Sequence, residues 1–285
     1  MNKRNLIYIA ISIFCVIAIA AGVYYQIFGQ EEKKPVNSDT STNTTIDEDK
    51  AEDPEVLKEE FNNLFTNTLY DQGYDISNIQ KRSGLENLNI IYAAYNIREE
   101  QDGKYNVNIN LPVFNVAGDT AAEFNNNTQS IFANKADDIL NNASQYTIYN
   151  VDYVAYVNEN ILSLVIKSIL KEGNSAQRII VQTYNYNFET GQEVSLNEVL
   201  EAQGYSKKDV NQKIELQVEE ANKQAEALSQ ALSQTGQMVY KRDINNAMYV
   251  TDNVNNFFIG ENGTIYIVYA YGNSNFTSEM DIIKL

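Results

Sequence analysis

Residues 6–28, LIYIAISIFCVIAIAAGVYYQIF, form an unbroken apolar run of 23 residues without a charge. As a helix, a run of this length spans a hydrocarbon core of ~30 Å. It is therefore expected to be a transmembrane anchor and to stand apart from any water-exposed fold. Residues 1–5 form a short tail carrying Lys3 and Arg4, so the positive flank is expected in the cytoplasm and the rest of the chain outside. Tyr24, Tyr25 and Phe28 sit where an aromatic belt would meet the outer headgroups. The alternative is secretion after cleavage near Ala20, because Ala18-Ile19-Ala20 has the small-x-small pattern of a cleavage site. The apolar run continues past Ala20, which favours the anchor. Cys15 is the sole cysteine and lies inside the run, so the exported part has no internal disulfide.

Residues 29–52 carry Ser, Thr, Asn and charge with almost no large apolar side chain. Such a stretch buries too little surface to offset its chain entropy and reads as a disordered acidic linker. Asp47-Glu48-Asp49 lacks the alternating ligands and central glycine of a calcium loop, so no metal site is expected there. Residues 53–285 remain, enough for a sizeable core.

Within them the signals alternate between strands and helices. Asp53-Pro54 reads as an N-cap followed by a first-turn proline, with Leu57, Phe61, Leu64 and Phe65 as the apolar stripe. Strands are expected at 92–99 and 104–114, joined by Gln101-Asp102-Gly103. In the second, Tyr105, Val107, Ile109, Leu111 and Val113 alternate with Lys104, Asn106, Asn108 and Asn110, giving one core face and one wet face. A helix follows at about 120–142, with Thr120 and Glu123 at capping-box spacing. Three strands are expected at about 146–157, 161–171 and 178–188, then a short helix from Ser195 and a long one from Ser206 to about Ser233. The long helix carries a narrow stripe, Val210, Ile214, Val218, Ala221, Ala225, Leu228 and Leu232, suited to packing on its own sheet. A hairpin from Phe257 through Asn262-Gly263 to Tyr271 and a strand at Asp281–Leu285 close the chain. The expected class is α+β, with mainly antiparallel sheets packed by helices and one N-terminal transmembrane helix before them.

Composition narrows the chemistry. The chain has no histidine and no tryptophan, and 21 basic residues face 38 acidic ones. Without histidine there is no Ser-His-Asp or Cys-His triad and no His-ligated zinc. A net charge of -17 argues against nucleic acid as a partner, since phosphate binding needs clustered Lys and Arg. No cofactor is expected. A glycosidase needs only two carboxylates, yet no local motif pairs them.

Residues 183–200, TYNYNFETGQEVSLNEVL, read as a strand that turns at Thr190-Gly191 into a helix capped by Ser195. This stretch resembles the extracytoplasmic domain pair shared by the anti-sigma factor RsiV and the N-terminal region of the peptidoglycan deacetylase PdaC. Thr183, Tyr184, Asn185, Thr190, Gly191, Leu196 and Leu200 fall on that pattern. Ile109–Phe114 with the following helix, and the ending from Phe258 to the Tyr-rich strand, resemble the same family. The resemblance implies a first lobe at about 85–150, like the PdaC N-terminal domain, and a second at about 151–285, like the RsiV C-terminal domain. Asn187 departs from a frequent Asp, and Gly173–Gln177 stands where many members have Gly-Ala-His. The deacetylase domain does not carry over, because it uses histidines. Sigma-factor binding does not either, because residues 1–5 are too short for it.

What the resemblance implies is a non-enzymatic extracytoplasmic binding or sensor module on the bacterial cytoplasmic membrane. Its partner would be a protein, such as a basic lysozyme-like one, or a cell-wall glycan. A carboxylate-only wall hydrolase and a structural part of an envelope complex are the alternatives. No catalytic or metal-ligating residue is singled out. Tyr184, Tyr186, Tyr266, Tyr269 and Tyr271 are the candidate binding residues, since tyrosine offers rigid contact area with a polar tip. Alternating tyrosine is equally ordinary sheet material.

Overall fold

The computed structural model describes residues 50–232, 239–273 and 276–285. The apolar run 6–28 and the linker up to residue 49 lie outside the described residues. Among the described residues, no helix is long and apolar enough to cross a membrane. The described residues fall within one compact unit.

The local signals translate directly at the first helix, α1 (Pro54–Asn62), where the Asp53 side chain accepts from the Glu55 N–H and Pro54 opens the helix. Strands β1 (Leu69–Asp71), β2 (Ile91–Gln101), β3 (Tyr105–Phe114), β4 (Thr147–Asn158), β5 (Ile161–Glu172), β6 (Arg178–Asn187) and β7 (Gln192–Glu193) build the larger sheet. Its order is β2-β3-β4-β5-β6-β7, with β1 also against β4. Strand β5 pairs antiparallel with β4 along its whole length, so β4's other edge serves two neighbours. β3 runs parallel to Thr147–Val151, and β1 runs parallel to Ala155–Val157. Where one neighbour gives way to the other, the Asp152 carboxylate accepts from the amides of Asn67 (2.8 Å) and Asn110 (2.9 Å).

The period-2 alternation of these strands sends side chains to two different layers. On one face Val151, Ala155, Leu164, Ile166, Tyr184 and Tyr186 pack under α2 (Asp119–Thr128) and α3 (Asn134–Asn142), which a π-helical turn at Gln129–Ala133 joins. On the other, Val154, Tyr156, Val165 and Val181 meet Phe258, Val268, Met280 and Ile282, with Leu57 and Phe61 of α1 closing the same core. The latter four apolar partners belong to a second, antiparallel sheet of β8 (Phe257–Ile259), β9 (Ile265–Asn273) and β10 (Phe276–Lys284), ordered β10-β9-β8. Its far face is covered by α4 (Leu196–Ala202) and α5 (Lys207–Ala231). The architecture is therefore helix, sheet, sheet, helix.

The α+β class with mainly antiparallel sheets holds. The expected lobe division near residue 150 falls within β4, so residues on both sides of it build one sheet. The stripe of α5 packs on the second sheet through Val210, Ile214 and Val218, whereas Leu228 is half exposed. Ser195 and Glu198 form the expected capping box. The one expected at Thr120 is absent: Gly118 is the N-cap, at φ 127°, and Thr120 already lies inside the first turn.

Candidate functional site

The candidate tyrosines do not form a surface. Tyr184 and Tyr186 point from β6 into the core under α2, where Tyr184 stacks on Phe124 at 4.3 Å. Tyr269 and Tyr271 are buried between β9 and α5, and Tyr266, half-buried on the opposite face of β9, stacks on Phe258 at 4.7 Å. The reason is alternation itself: both faces of both sheets are covered in this region, so a strand tyrosine has no wet side to occupy. The same closeness explains Gly260, where an added Cβ would lie 2.8 Å from the Tyr266 ring.

The family-like motif instead joins the two sheets. The short strand β8 ends its sheet, and its free backbone edge is met by side chains from β4, β5 and β6. Thr183 Oγ1 accepts from the Phe257 N–H (3.1 Å), and Asn185 Nδ2 donates to the Phe257 carbonyl (2.9 Å). Ser163 Oγ accepts from the Ile259 N–H (3.0 Å) and donates to Asn185 Oδ1 (2.6 Å). Asn158 Nδ2 donates to the Ile259 carbonyl (3.1 Å). Asn187 closes the motif by accepting from the N–H groups of Glu189 and Thr190, ahead of Gly191 at φ 70°.

Two sites of buried charge stand out. Arg242 forks onto Asp281, with Nε to Oδ2 at 2.9 Å and Nη2 to Oδ1 at 2.8 Å. Tyr271 donates to Asp281 Oδ2 (3.0 Å) and shares a 2.7 Å bond with Tyr249. Asn222 of α5 clasps the Arg242 backbone, accepting from its N–H and donating to its carbonyl. Burial and then the Asp281 charge push the Tyr271 hydroxyl far above its ordinary range. Burial opposes the charge of Arg242, but the hydrogen bond and charge of Asp281 outweigh it and raise its pKa. Every member of this set has a partner, and the arrangement is a structural lock between α5 and the second sheet. Lys167 is the other case. Its ammonium bonds Asn62 Oδ1 (2.9 Å) and stands 4.1 Å from the Phe65 ring centre. Burial pushes its pKa down to about 8, against the opposing charge of Asp152.

The candidate site is a cleft of about 520 Å³ where the ends of the two sheets meet α4. That volume lies within the ~300–1,000 Å³ common for ligand sites. The β4–β5 hairpin contributes Asn158, Glu159 and Ile161, the residue after β1 is Gln72, α4 contributes Val199 and its C-cap Gln203, and the β8–β9 turn contributes Asn262. The floor is apolar, with Val199 and Ile259 buried. The rim is made of amides and one carboxylate. Among the described residues, two of the three non-glycine residues with positive φ, Glu159 (50°) and Asn262 (57°), flank this cleft. Such backbone costs ~1–3 kcal/mol where it departs from favoured regions and concentrates at ligand clamps. None of these residues is among the candidate binding residues of the sequence, where Asn262 marks only a turn. Each is an ordinary turn or helix-end residue, and only the tertiary fold brings the segments together. No group of three or more carboxylate or thiol side chains suited to a metal occurs among the described residues.

No family model matches the chain, and no curated protein matches it. Similar solved structures include a DUF3298 family protein from Pseudomonas aeruginosa, 16% identical, with 65% of this chain and 83% of that chain covered at a TM-score of 0.36. A member of the DUF3298 family from Bacteroides fragilis is 12% identical, with 64% and 80% covered at a TM-score of 0.29. DUF3298 is the domain that RsiV and PdaC share.

Proposed function

We propose that this chain is a binding module without catalytic activity, held outside the bacterial cytoplasmic membrane by residues 6–28, whose ligand is a basic extracytoplasmic protein. The observation that carries this reading is the placement of charge. Residues 57–285 hold 16 basic and 29 acidic residues, so -13 of the -17 belongs to the folded region. An acidic domain attracts cationic proteins over roughly a Debye length, ~8 Å at physiological salt, and so favours their encounter. The resemblance of residues 183–200 to a segment of the RsiV and PdaC domain pair supports the same reading.

The test is binding of the full chain, in detergent micelles, to lysozyme and to an acidic protein of similar size. Binding to lysozyme that weakens steeply between low and physiological salt is expected, with none to the acidic protein. Absence of salt-sensitive binding overturns the proposal. Incubation with purified peptidoglycan is expected to release no fragments.

A further inference from the structure

The cleft between the sheet ends has a chemical bias that its residue types alone do not reveal. Three of its four side-chain amides each have one of their two N–H groups engaged, and the Asn262 side chain makes no hydrogen bond among the described residues. Asn158 Nδ2 donates to the Ile259 carbonyl at 3.1 Å, Gln203 Nε2 to the Gly263 carbonyl at 3.4 Å, and Gln72 Nε2 to the Gly260 carbonyl at 3.5 Å. Gln72 also uses its oxygen, accepting from the Asn262 N–H at 3.1 Å. Asn158 Oδ1, Gln203 Oε1 and the Glu159 carboxylate have no hydrogen-bond partner among the described residues. No lysine or arginine lines the cleft. The only charge lining the cleft is thus the Glu159 carboxylate, which stands with unpaired amide oxygens around an apolar floor of Ile161, Val199 and Ile259.

We propose that this cleft is a guanidinium site. A ligand that brings positive charge and donors complements the carboxylate and the unpaired amide oxygens. Guanidinium presents five N–H donors in a plane, is weakly hydrated, and tolerates apolar surroundings better than the compact ammonium of lysine. The methylenes of an arginine side chain match the apolar floor while the head meets the rim. The inference rests on the proposed basic partner only for its source: the guanidinium is protein-borne if that reading holds and belongs to a free small molecule if it does not.

The experiment is a methyl NMR titration of the full chain, labelled at Ile and Val, with acetyl-arginine amide, acetyl-lysine amide and the neutral isostere acetyl-citrulline amide. The arginine compound is expected to shift the Ile161, Val199 and Ile259 methyls and to bind at least about five-fold more tightly than citrulline. Glu159→Gln should weaken it about five-fold, the scale of one exposed charge contact. Glu159→Lys should abolish the shifts, with thermal unfolding of both variants unchanged because Glu159 is exposed at a turn. Equal binding of arginine and citrulline compounds, or cleft methyls that do not move, overturns the inference. Lysozyme binding is scored separately in wild type and Glu159→Gln. If lysozyme binds both equally and the cleft methyls stay unmoved, the site falls while the proposed function stands. If the arginine compound binds in the cleft and lysozyme does not bind at all, the site stands with a free guanidinium as its ligand.

Discussion

Lys167 shows how a single buried group sets a pH dependence. Its ordinary pKa of 10.5 is pushed down to about 8 in the fold, chiefly by burial. Between those values the unfolded chain binds more protons than the folded one, so stability rises with pH across that window. Below pH 8 the cost is fully present, about 3 kcal/mol from the size of the shift. Buried tyrosines act in the opposite sense: their raised pKa values mean that the unfolded chain ionises first, and stability is lost above pH 10. Urea unfolding of the full chain at stepped pH should therefore show stability climbing from pH 8 and turning over near pH 10. Lys167→Met, which keeps the apolar stem beside Phe61 and Phe65, should flatten the climb and leave the turnover. An unchanged climb in the variant would show that Lys167 is not its source. None of this was legible in the sequence, where Lys167 is one lysine in an apolar strand. The alternation placed it on a face, but not under Phe65.

At the scale of elements, β8 is the instructive case. Three residues paired on one side only have little stability of their own, and this strand is held by Thr183, Asn185 and Ser163. Asn185→Leu removes the donor to the buried Phe257 carbonyl and the acceptor for Ser163. Leaving such groups unpaired costs ~1–3 kcal/mol each. The variant should lose about 2–4 kcal/mol in urea unfolding, and hydrogen exchange at Phe257 and Ile259 should accelerate. Loss of stability below about 1 kcal/mol would contradict the role given to the side-chain bonds.

Most elements were readable from periodicity and caps. α1, α4 and α5 are N-capped by Asp53, Ser195 and Ser206, and the strands from β2 to β6 lie within a few residues of their expected bounds. What escaped was what local pattern does not encode. β1 is too short to alternate, and the parallel pairing of β1 and β3 with β4 depends on partner choice. The candidate site escaped for the same reason, since its lining residues come from four separate segments. The five tyrosines were legible as strand residues, but their burial depended on a second layer covering each sheet.

For the whole molecule, the larger sheet draws strands from both sides of residue 150, and the two sheets share one apolar core with α1. The folded region is expected to unfold in one transition, with far-ultraviolet circular dichroism and the near-ultraviolet tyrosine signal changing at the same urea concentration. Separate midpoints would mean that the two parts hold independently.

The side-chain bonds to β8 have a mechanical meaning as well. A purely apolar contact between two sheets resists separation but offers little resistance to shear, because one methyl group substitutes readily for the next. Directional bonds from Thr183, Asn185, Ser163 and Asn158 to particular peptide groups act as detents, and a slip of one residue would misalign them all. The turn bearing Glu159 and the turn bearing Asn262 belong to different sheets, so it is this resistance to sliding that keeps the two jaws of the cleft at a constant gauge.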